Sequence, residues 1–170
     1  MDFDFSVENF IVADIGASTG GFTDCLLNCG AKQVFAVDLN NGLLHESLKN
    51  DDRVISIIKN AKDLVLSDFS SRPDLFVADL SFISITQIFP VFSRLVEKGK
   101  NLIVLVKPQF ETGEKRKFKH GIIKDKNVHK VVCDSVLSCA IENGFLHMKT
   151  TTAPIVANKN LEFLMLFEKK

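Results

Sequence analysis

The sequence has no excess of either charge, because 21 lysines and arginines balance 21 aspartates and glutamates. This balance excludes a field over the whole protein that would draw it to nucleic acid or to an anionic membrane, so any basic binding surface must be local. The chain also lacks an apolar run near the roughly 20 residues that span a bilayer. Its acidic start, MDFDF, has neither the charged nor the apolar region of a signal peptide. We therefore expect a cytoplasmic protein with no membrane partner.

Cysteine is scarce, and its spacing argues against the common metal centres. Cys25 and Cys29 are four residues apart in one predicted helix, and Cys133 and Cys139 lie in a second. A zinc site needs compact C-x-x-C pairs, and a radical-type iron–sulfur cluster needs a third cysteine soon after Cys29. We predict no metal site and interpret the four cysteines as buried, reduced thiols, since free cysteine packs like a small apolar residue.

The remaining composition is that of an ordinary globular protein. Hydrophobic residues make up 46% and charged residues 25% of the 170 residues, which is enough chain and enough apolar surface to bury a core. We expect residues 1–170 to form one domain.

Apolar, β-rich stretches alternate with helical patterns along the chain. Such alternation predicts an α/β fold with a largely parallel sheet and helices on both of its faces. Only residues 152–160 separate the last two strands, so these two are expected to be antiparallel neighbours. The predicted strands are 11–14, 34–37, 54–58, 75–78, 102–106, 145–151 and 161–167, and the predicted helices begin near residue 23 and lie near 42–49, 85–97 and 127–142.

A turn that contains Gly16, Gly20 and Gly21 joins the first strand to the first helix. Glycine is needed where a ligand approaches the backbone or where φ is positive. The spacing lacks the central glycine of the G-x-G-x-x-G dinucleotide motif, so NAD is disfavoured. Residues 16–20 also match G-x-S-x-G, the nucleophile elbow of α/β hydrolases, with Ser18 as its serine. No local signature marks any of the four histidines as the base, so a hydrolase stays a minor alternative.

A third interpretation of the turn is a loop for S-adenosylmethionine (SAM), a cofactor with an amino acid and a ribose but no phosphate. Such a ligand favours carboxylates beside the glycines. Asp14 ends the first strand and can organise the loop and the methionine amino group. Asp38 ends the second strand and can accept hydrogen bonds from both ribose hydroxyls, since a carboxylate has two acceptor oxygens. Asp38 alone could equally cap a turn, but the two carboxylates and the glycines together favour SAM.

Five polar residues come directly after predicted strands. The ligand of an open α/β sheet lies at the carboxyl ends of its strands. A strand-end charge that simply reaches solvent would explain any single one of the five. Five in the order expected for one crevice favour a binding site instead. They are Asp14, Asp38, Asn60, Asp79 and Lys107.

Six segments carry a family resemblance. They are DIGASTGGFTDCLL, AVDLNNGLL, ADLSFISI, LVKPQFETG, HGIIKD and NKNLEF. Together they resemble the TlyA family, whose members are known both as haemolysins and as ribosomal RNA 2'-O-methyltransferases with an FtsJ-like catalytic domain. The resemblance covers nearly the whole chain. It implies a Rossmann-like, SAM-dependent methyltransferase fold of seven mostly parallel strands, with the last strand antiparallel.

The resemblance also implies a set of site residues and a partner. In the family, a Lys-Asp-Lys-Glu set transfers the methyl group of SAM to a ribose 2'-hydroxyl. Asp79, Lys107 and Glu162 stand at its second, third and fourth positions. Ribosomal RNA or a ribosomal subunit is the expected partner. Contacts to SAM are expected from Asp14, Gly16, Ser18, Gly20, Gly21, Phe22, Asp38, Asn60 and Asp79.

Two features depart from the family pattern. Family members carry an amino-terminal RNA-binding S4 domain and then a segment with the first catalytic lysine, and this chain starts after both. The family segments K-G-G-V and P-x-G-N-x-E appear in altered form at residues 119–122 and 157–162. We therefore expect either a fragment of a longer enzyme or a protein that binds SAM without transferring its methyl group.

Residues 115–126 form a local basic stretch, with six lysines or arginines against one acid. Such a loop can follow RNA phosphates, and a solvated surface loop is the equal alternative. Phe118 is the one aromatic residue there on which a base could stack. The candidate RNA contacts are Lys115, Arg116, Lys117, Lys119 and Lys124.

The haemolysin name suggests membrane lysis as a competing function. Lysis would need a spanning segment or a strongly amphipathic basic helix, and the sequence has neither pattern. We therefore favour RNA methylation and interpret the name as the description of a phenotype.

Overall fold

The protein is built on one sheet of seven strands, in a computed structural model that describes residues 6–112, 122–154, 157 and 159–170. The strands are β1 (Ile11–Ile15), β2 (Gln33–Asp38), β3 (Val54–Ile58), β4 (Leu75–Ala78), β5 (Asn101–Val106), β6 (Phe145–Thr152) and β7 (Phe163–Lys169). The α-helices are α1 (Gly21–Asn28), α2 (Glu46–Lys49), α3 (Phe89–Leu95), α4 (Pro108–Glu111) and α5 (Lys126–Glu142).

The strand order across the sheet is β3-β2-β1-β4-β5-β7-β6. The pairs among β1 to β5 are parallel, whereas β7 lies antiparallel between β5 and β6. Parallel neighbours require long crossovers, and the short connection from β6 to β7 permits only an antiparallel pair. The predicted fold is therefore confirmed, including the reversed last strand and its pairing with the strand before it.

All seven predicted strands are present, with small differences at their ends. β7 begins at Phe163, so Glu162 precedes the strand. The predicted helix over 85–97 is divided into a 3₁₀ turn, Ile85–Gln87, and α3. Pro90 explains the division, because proline has no N–H to donate and is tolerated only in the first turn of a helix. The predicted helix over 42–49 is likewise divided into the 3₁₀ turn Asn41–Leu43 and α2.

Apolar side chains cover both faces of the sheet. On one face, Phe89 of α3 packs edge-on against Phe145 and Phe167, with ring centroids 5.8 and 5.7 Å apart, and α5 adds to the same cluster. On the other face, α1 and α2 pack through Leu26 and Leu48. Helices on both faces are thus confirmed, and the carboxyl ends of the parallel strands stay open at one edge of the sheet.

The cysteines are free thiols, but their expected burial is wrong. Cys29 is exposed, because it lies just past the end of α1, and the other three are half-buried. In the part of the chain that the structure describes, no group of three His, Cys, Asp or Glu side chains is arranged to hold a metal ion.

Candidate active site

A cavity of about 470 Å³ opens at the carboxyl ends of β1, β2 and β4. Ligands of open α/β sheets bind at this edge, and the volume lies in the range of small-molecule sites. Apolar walls come from Leu39, Leu43, Ala61, Leu80, Ile83 and Ile88. Of the residues predicted to contact a cofactor, Gly16, Ser18, Asp38, Asn60 and Asp79 line the cavity.

Gly16 brings the ends of three strands together. Its φ is +86°, and a Cβ at this position would lie 2.4 Å from the backbone oxygen of Asp79. Its N–H donates to the Val37 carbonyl of β2 at 2.8 Å. Only glycine satisfies both the left-handed backbone and the close approach.

Asp38 organises the loop after Gly16. Its Oδ2 accepts a hydrogen bond from the Ser18 N–H at 2.8 Å, and its Oδ1 accepts one from the Leu39 N–H at 2.7 Å. The Asn40 N–H also donates to Oδ1, at 3.4 Å, so the second lone pair of Oδ2 is the one that can still accept from a ligand diol. Asn60, across the cavity, caps the 3₁₀ turn Ala61–Asp63 by accepting from the Lys62 N–H at 3.0 Å.

Asp14 lies behind the cavity wall and has no exposed surface. Thr23 Oγ1 donates to its Oδ2 at 2.7 Å, which ties the end of β1 to α1. Its Oδ1 is buried without a hydrogen-bond partner among the described residues. Burial raises the pKa of this carboxyl to about 7, and the nearby charge of Asp79 acts in the same direction against the bond from Thr23. The residue therefore supports the loop and holds an unused acceptor.

Gly20, Gly21 and Phe22 do not line the cavity. Gly20 has a φ of +97°, and a Cβ there would meet a methyl group of Leu48 at 2.2 Å, so its role in this structure is to let α1 approach α2. Gly21 begins α1 with open space around it. Phe22 packs against the core of that face.

Lys107 and Asp79 form a close ion pair beyond the ends of β5 and β4. Lys107 Nζ lies 2.5 Å from Asp79 Oδ1 and donates to Ser81 Oγ at 3.0 Å. The contact to Asp79 lacks hydrogen-bond alignment, since that oxygen is buried without a hydrogen-bond partner among the residues that the structure describes. The Lys107 side chain is 13% exposed. A buried ammonium beside a cavity can hold and polarise a hydroxyl group.

Glu162 joins this cluster through Gln109. Gln109 Nε2 donates to Glu162 Oε1 at 2.9 Å, and Gln109 lies two residues after Lys107. Gln109 Oε1 is a buried acceptor without a partner among the described residues. The three predicted catalytic residues thus converge on one edge of the sheet, with Gln109 as an intermediary that the sequence did not indicate.

Phe82 is a second feature that the prediction missed. It has a φ of +69°, a strained backbone conformation for a non-glycine residue, and is 84% exposed. It lines the cavity, and its ring centroid lies 5.3 Å from that of Phe110. An aromatic residue three positions after the strand-end Asp79 was the available signal for it.

The predicted RNA contacts fall largely in a part of the chain outside the described residues. Lys115, Arg116, Lys117 and Lys119 belong to that part. Lys124 is described and exposed, just before α5. Directly before Lys124, the Ile123 N–H donates a hydrogen bond to Asn160 Oδ1 at 2.8 Å.

The sequence matches a family model. The model for FtsJ-like methyltransferases covers residues 1–170. The chain is 43% identical over 170 residues to Hemolysin A of Brachyspira hyodysenteriae, across 98% of this chain and 71% of that protein. It is 36% identical over 154 residues to the 16S/23S rRNA (cytidine-2'-O)-methyltransferase TlyA of Mycobacterium tuberculosis, across 89% of this chain and 58% of that protein.

Solved structures resemble the chain as well. A hemolysin candidate from Streptococcus thermophilus is 39% identical, with a TM-score of 0.92, over 99% of this chain and 62% of that one. A SAM-dependent methyltransferase from Mesorhizobium loti shares the fold, with a TM-score of 0.71 at 13% identity, over 97% of this chain and 93% of that one. The chain thus spans only part of several relatives. Within its described residues, no helix is long and apolar enough to cross a membrane.

Proposed function

Because the chain belongs to the FtsJ-like methyltransferase family, we propose that it binds SAM and transfers the methyl group to a ribose 2'-hydroxyl of ribosomal RNA. The observation that carries the proposal is the Lys107–Asp79 ion pair, which lies beside the cavity formed around Gly16 and Asp38. The TlyA relative, named as a cytidine-2'-O-methyltransferase, supports the choice of substrate. Ribosomal RNA as substrate puts the activity in the cytoplasm, with the ribosomal subunit as partner.

The cavity residues fit SAM. Asp38 offers the remaining lone pair of Oδ2 to a ribose hydroxyl, and the apolar walls suit an adenine ring. Gly16 lets the ligand approach the backbone of the loop. Asp14 supports the loop from behind the cavity wall, through its hydrogen bond with Thr23. Gly20, Gly21 and Phe22 act through the position of α1 in this proposal.

The protein's part in methyl transfer is to hold the hydroxyl group and manage its proton. When bound, SAM supplies a methyl group on a positively charged sulfur. Lys107, which contacts Asp79, can donate to the hydroxyl oxygen and stabilise the negative charge that develops there. A neutral amine at this position can instead accept the hydroxyl proton as a general base. Glu162, held by Gln109, supplies a further acceptor for the ribose.

The RNA side of the site has two components. Phe82 presents an exposed aromatic face at the lip of the cavity, where a base can stack. The basic stretch that ends with Lys124 and Lys126 supplies positive charge for phosphates, with binding that weakens as salt rises. Both components act without a net charge on the whole chain.

A module that binds SAM without methyl transfer is the second candidate. It is favoured by the close pairing of Lys107 with Asp79, which already engages the lysine within the fold. In this case the cavity binds its ligand normally, but Lys107 does not take part in methyl transfer.

Two measurements separate these possibilities. Titration calorimetry with SAM and S-adenosylhomocysteine tests the cavity, and incorporation of labelled methyl groups into ribosomal RNA tests transfer. Saturable binding with transfer supports the enzyme, and binding without transfer supports the module. A folded chain that binds neither ligand would rule out both.

A further inference from the structure

The two segments that carry Asp79 and Lys107 leave the sheet side by side. The register between β4 and β5 ends at Ala78 and Val104, so backbone ladder bonds do not link the residues beyond those positions. Side chains link the segments instead. Lys107 contacts Asp79 and Ser81, Phe110 contacts Phe82, and Glu111 contacts Ser84 and Ile85.

Glu111 makes two of these links. Its Oε2 accepts a hydrogen bond from Ser84 Oγ at 2.5 Å, and its Oε1 accepts one from the Ile85 N–H at 2.9 Å. Ile85 is the first residue of the 3₁₀ turn Ile85–Gln87. The first N–H groups of a helical turn have no acceptor within it. Glu111 therefore caps, from α4, a turn that belongs to the other segment.

The contacts of Lys107, Phe82 and Glu111 would be affected differently by the proposed methyl transfer. Lys107 must turn part of its hydrogen bonding toward the substrate, and Phe82 lies at the exposed lip of the cavity. Glu111 and Ser84 do not line the cavity beside Asp79, and both are half-buried. Burial raises the pKa of its carboxyl, against the bonds from Ser84 and Ile85. Such charge-assisted bonds hold their geometry while the neighbouring pair rearranges.

We propose that Glu111 is a positioning residue that latches the Lys107 segment to the Asp79 segment while Lys107 engages the substrate. This inference rests on the proposed methyl transfer, since it assigns the residue that keeps the two reacting segments in register. Glu111 lies four residues after Lys107 and does not line the cavity proposed for SAM. The latch acts through Ser84 and the 3₁₀ turn Ile85–Gln87 that follows it.

Three variants test the latch. Glu111→Gln keeps the size and one acceptor but removes the charge and the second acceptor. Glu111→Ala removes both, and Glu111→Gln decides the question if the alanine variant does not fold. Glu142→Gln is the matched control, because Glu142 is an exposed glutamate at the end of α5.

Four quantities are compared with the wild-type chain: the NMR shift of Lys107 Nζ, hydrogen exchange of the Ile85 amide, SAM affinity, and kcat for labelled methyl transfer. For Glu111→Gln we expect a changed Lys107 shift and at least about ten-fold faster exchange at Ile85, since the amide loses a charged acceptor. We expect kcat to fall at least about ten-fold while SAM affinity stays within about twofold, and Glu142→Gln to match wild type.

Two results would overturn the latch. One is a folded Glu111→Gln variant with wild-type Lys107 shift and kcat. The other is a parallel fall of SAM affinity, kcat and melting temperature, which indicates a general structural role. A wild-type chain that binds no SAM would instead contradict the proposed function, and the Lys107 shift and Ile85 exchange would still decide whether Glu111 links the segments.

Discussion

Two lysine–aspartate pairs lie at opposite ends of the same two strands. Lys100 and Asp74 precede β5 and β4 at the amino edge of the sheet, with 2.8 Å between Nζ and Oδ1. Lys107 and Asp79 come after the same strands at the carboxyl edge. Asp74 uses its second oxygen to accept from the Ile11 N–H at 3.0 Å, so its hydrogen bonding is used within the fold. Asp79 has a buried oxygen without an aligned donor.

The difference lies in what surrounds each pair. At the amino edge, burial raises the pKa of Asp74, but the bonds from Lys100 and Ile11 outweigh it and hold the pKa below its usual value. At the carboxyl edge, a cavity, a strained Phe82 and the unpartnered oxygens of Asp14 and Gln109 surround the second pair. The same residue types thus stabilise the fold at one edge and offer unused bonding capacity at the other.

The largest effect is expected from removing Lys107, the lysine at the carboxyl edge of the sheet. Lys107→Ala should lower methyl transfer on the order of 100- to 1,000-fold, because it removes a donor from the developing charge, while SAM affinity changes within about twofold. Lys100→Ala is the matched control and should leave transfer unchanged, with a stability loss of about 1 kcal/mol or less for an exposed pair. Labelled methyl transfer and calorimetry measure both. Equal activity of Lys107→Ala and wild type would remove Lys107 from the mechanism.

Gly16→Ala should come next, because the new Cβ would overlap the Asp79 backbone oxygen at a position with positive φ. We expect a loss of about 3 kcal/mol in unfolding free energy, or a displaced β4 segment and lost SAM binding. Gly21→Ala is the control, since a Cβ there meets nothing within 4 Å; it should be neutral. Chemical denaturation of both variants tests this, and similar midpoints for the two would contradict the close approach.

Asp14 and Asp74 should give pH dependences of opposite sign. The pKa of Asp14 is raised from 3.8 to about 7 in the fold, so its contribution to stability is present at low pH and is lost as pH rises through 7. Between pH 5 and 8 the loss should be on the order of 2 to 3 kcal/mol. The pKa of Asp74 is instead lowered, so its contribution to stability is present at pH values above the usual carboxyl pKa and is lost as the pH falls.

Melting of wild type, Asp14→Asn and Asp74→Asn across pH 4 to 8.5 checks this contrast. Asp14→Asn should flatten the fall in melting temperature between pH 5 and 8, and Asp74→Asn should leave that fall in place. If the melting temperatures of the wild type and of Asp14→Asn change with pH in the same way through pH 7, the raised pKa of Asp14 is contradicted.

Asp38→Ala should have the smallest effect, which acts on cofactor binding through the lost carboxylate and through the loop that the carboxylate holds. Removal of a charged hydrogen-bonding partner is expected to weaken SAM binding by about 1 to 3 kcal/mol. Asp51→Ala is a suitable control, because Asp51 lies near the amino end of β3 and bonds only to Arg53 among the contacts described for its side chain. Calorimetry that finds equal affinities for the two variants would remove Asp38 from the cofactor site.

The ends of the predicted strands indicated the carboxylates at this edge of the sheet, but not which of them are buried and which face the cavity. Asp14, Asp38 and Asp79 each lie at or directly after the end of a predicted strand, and the order of strands then placed them at one edge. The sequence did not distinguish Asp14, which is buried behind the wall, from Asp38, which faces the cavity, because one position of register separates inward from outward side chains. Gln109, Glu111 and Phe82 were missed, since their partners lie about 25 to 50 residues away in the chain.

The sequence by itself determined the seven strands, the reversed last strand, the glycine loop and the family, because these depend on local apolar patterns, on glycine spacing and on motifs within short segments. Tertiary structure alone decided which Lys–Asp pair has unused bonding capacity and which residues join the two segments beyond the sheet. The physical reason is that burial and hydrogen-bond satisfaction are properties of neighbours in space. Lys100 and Lys107 are alike as residues, and only the packing around them places one pair within the fold and the other beside a cavity.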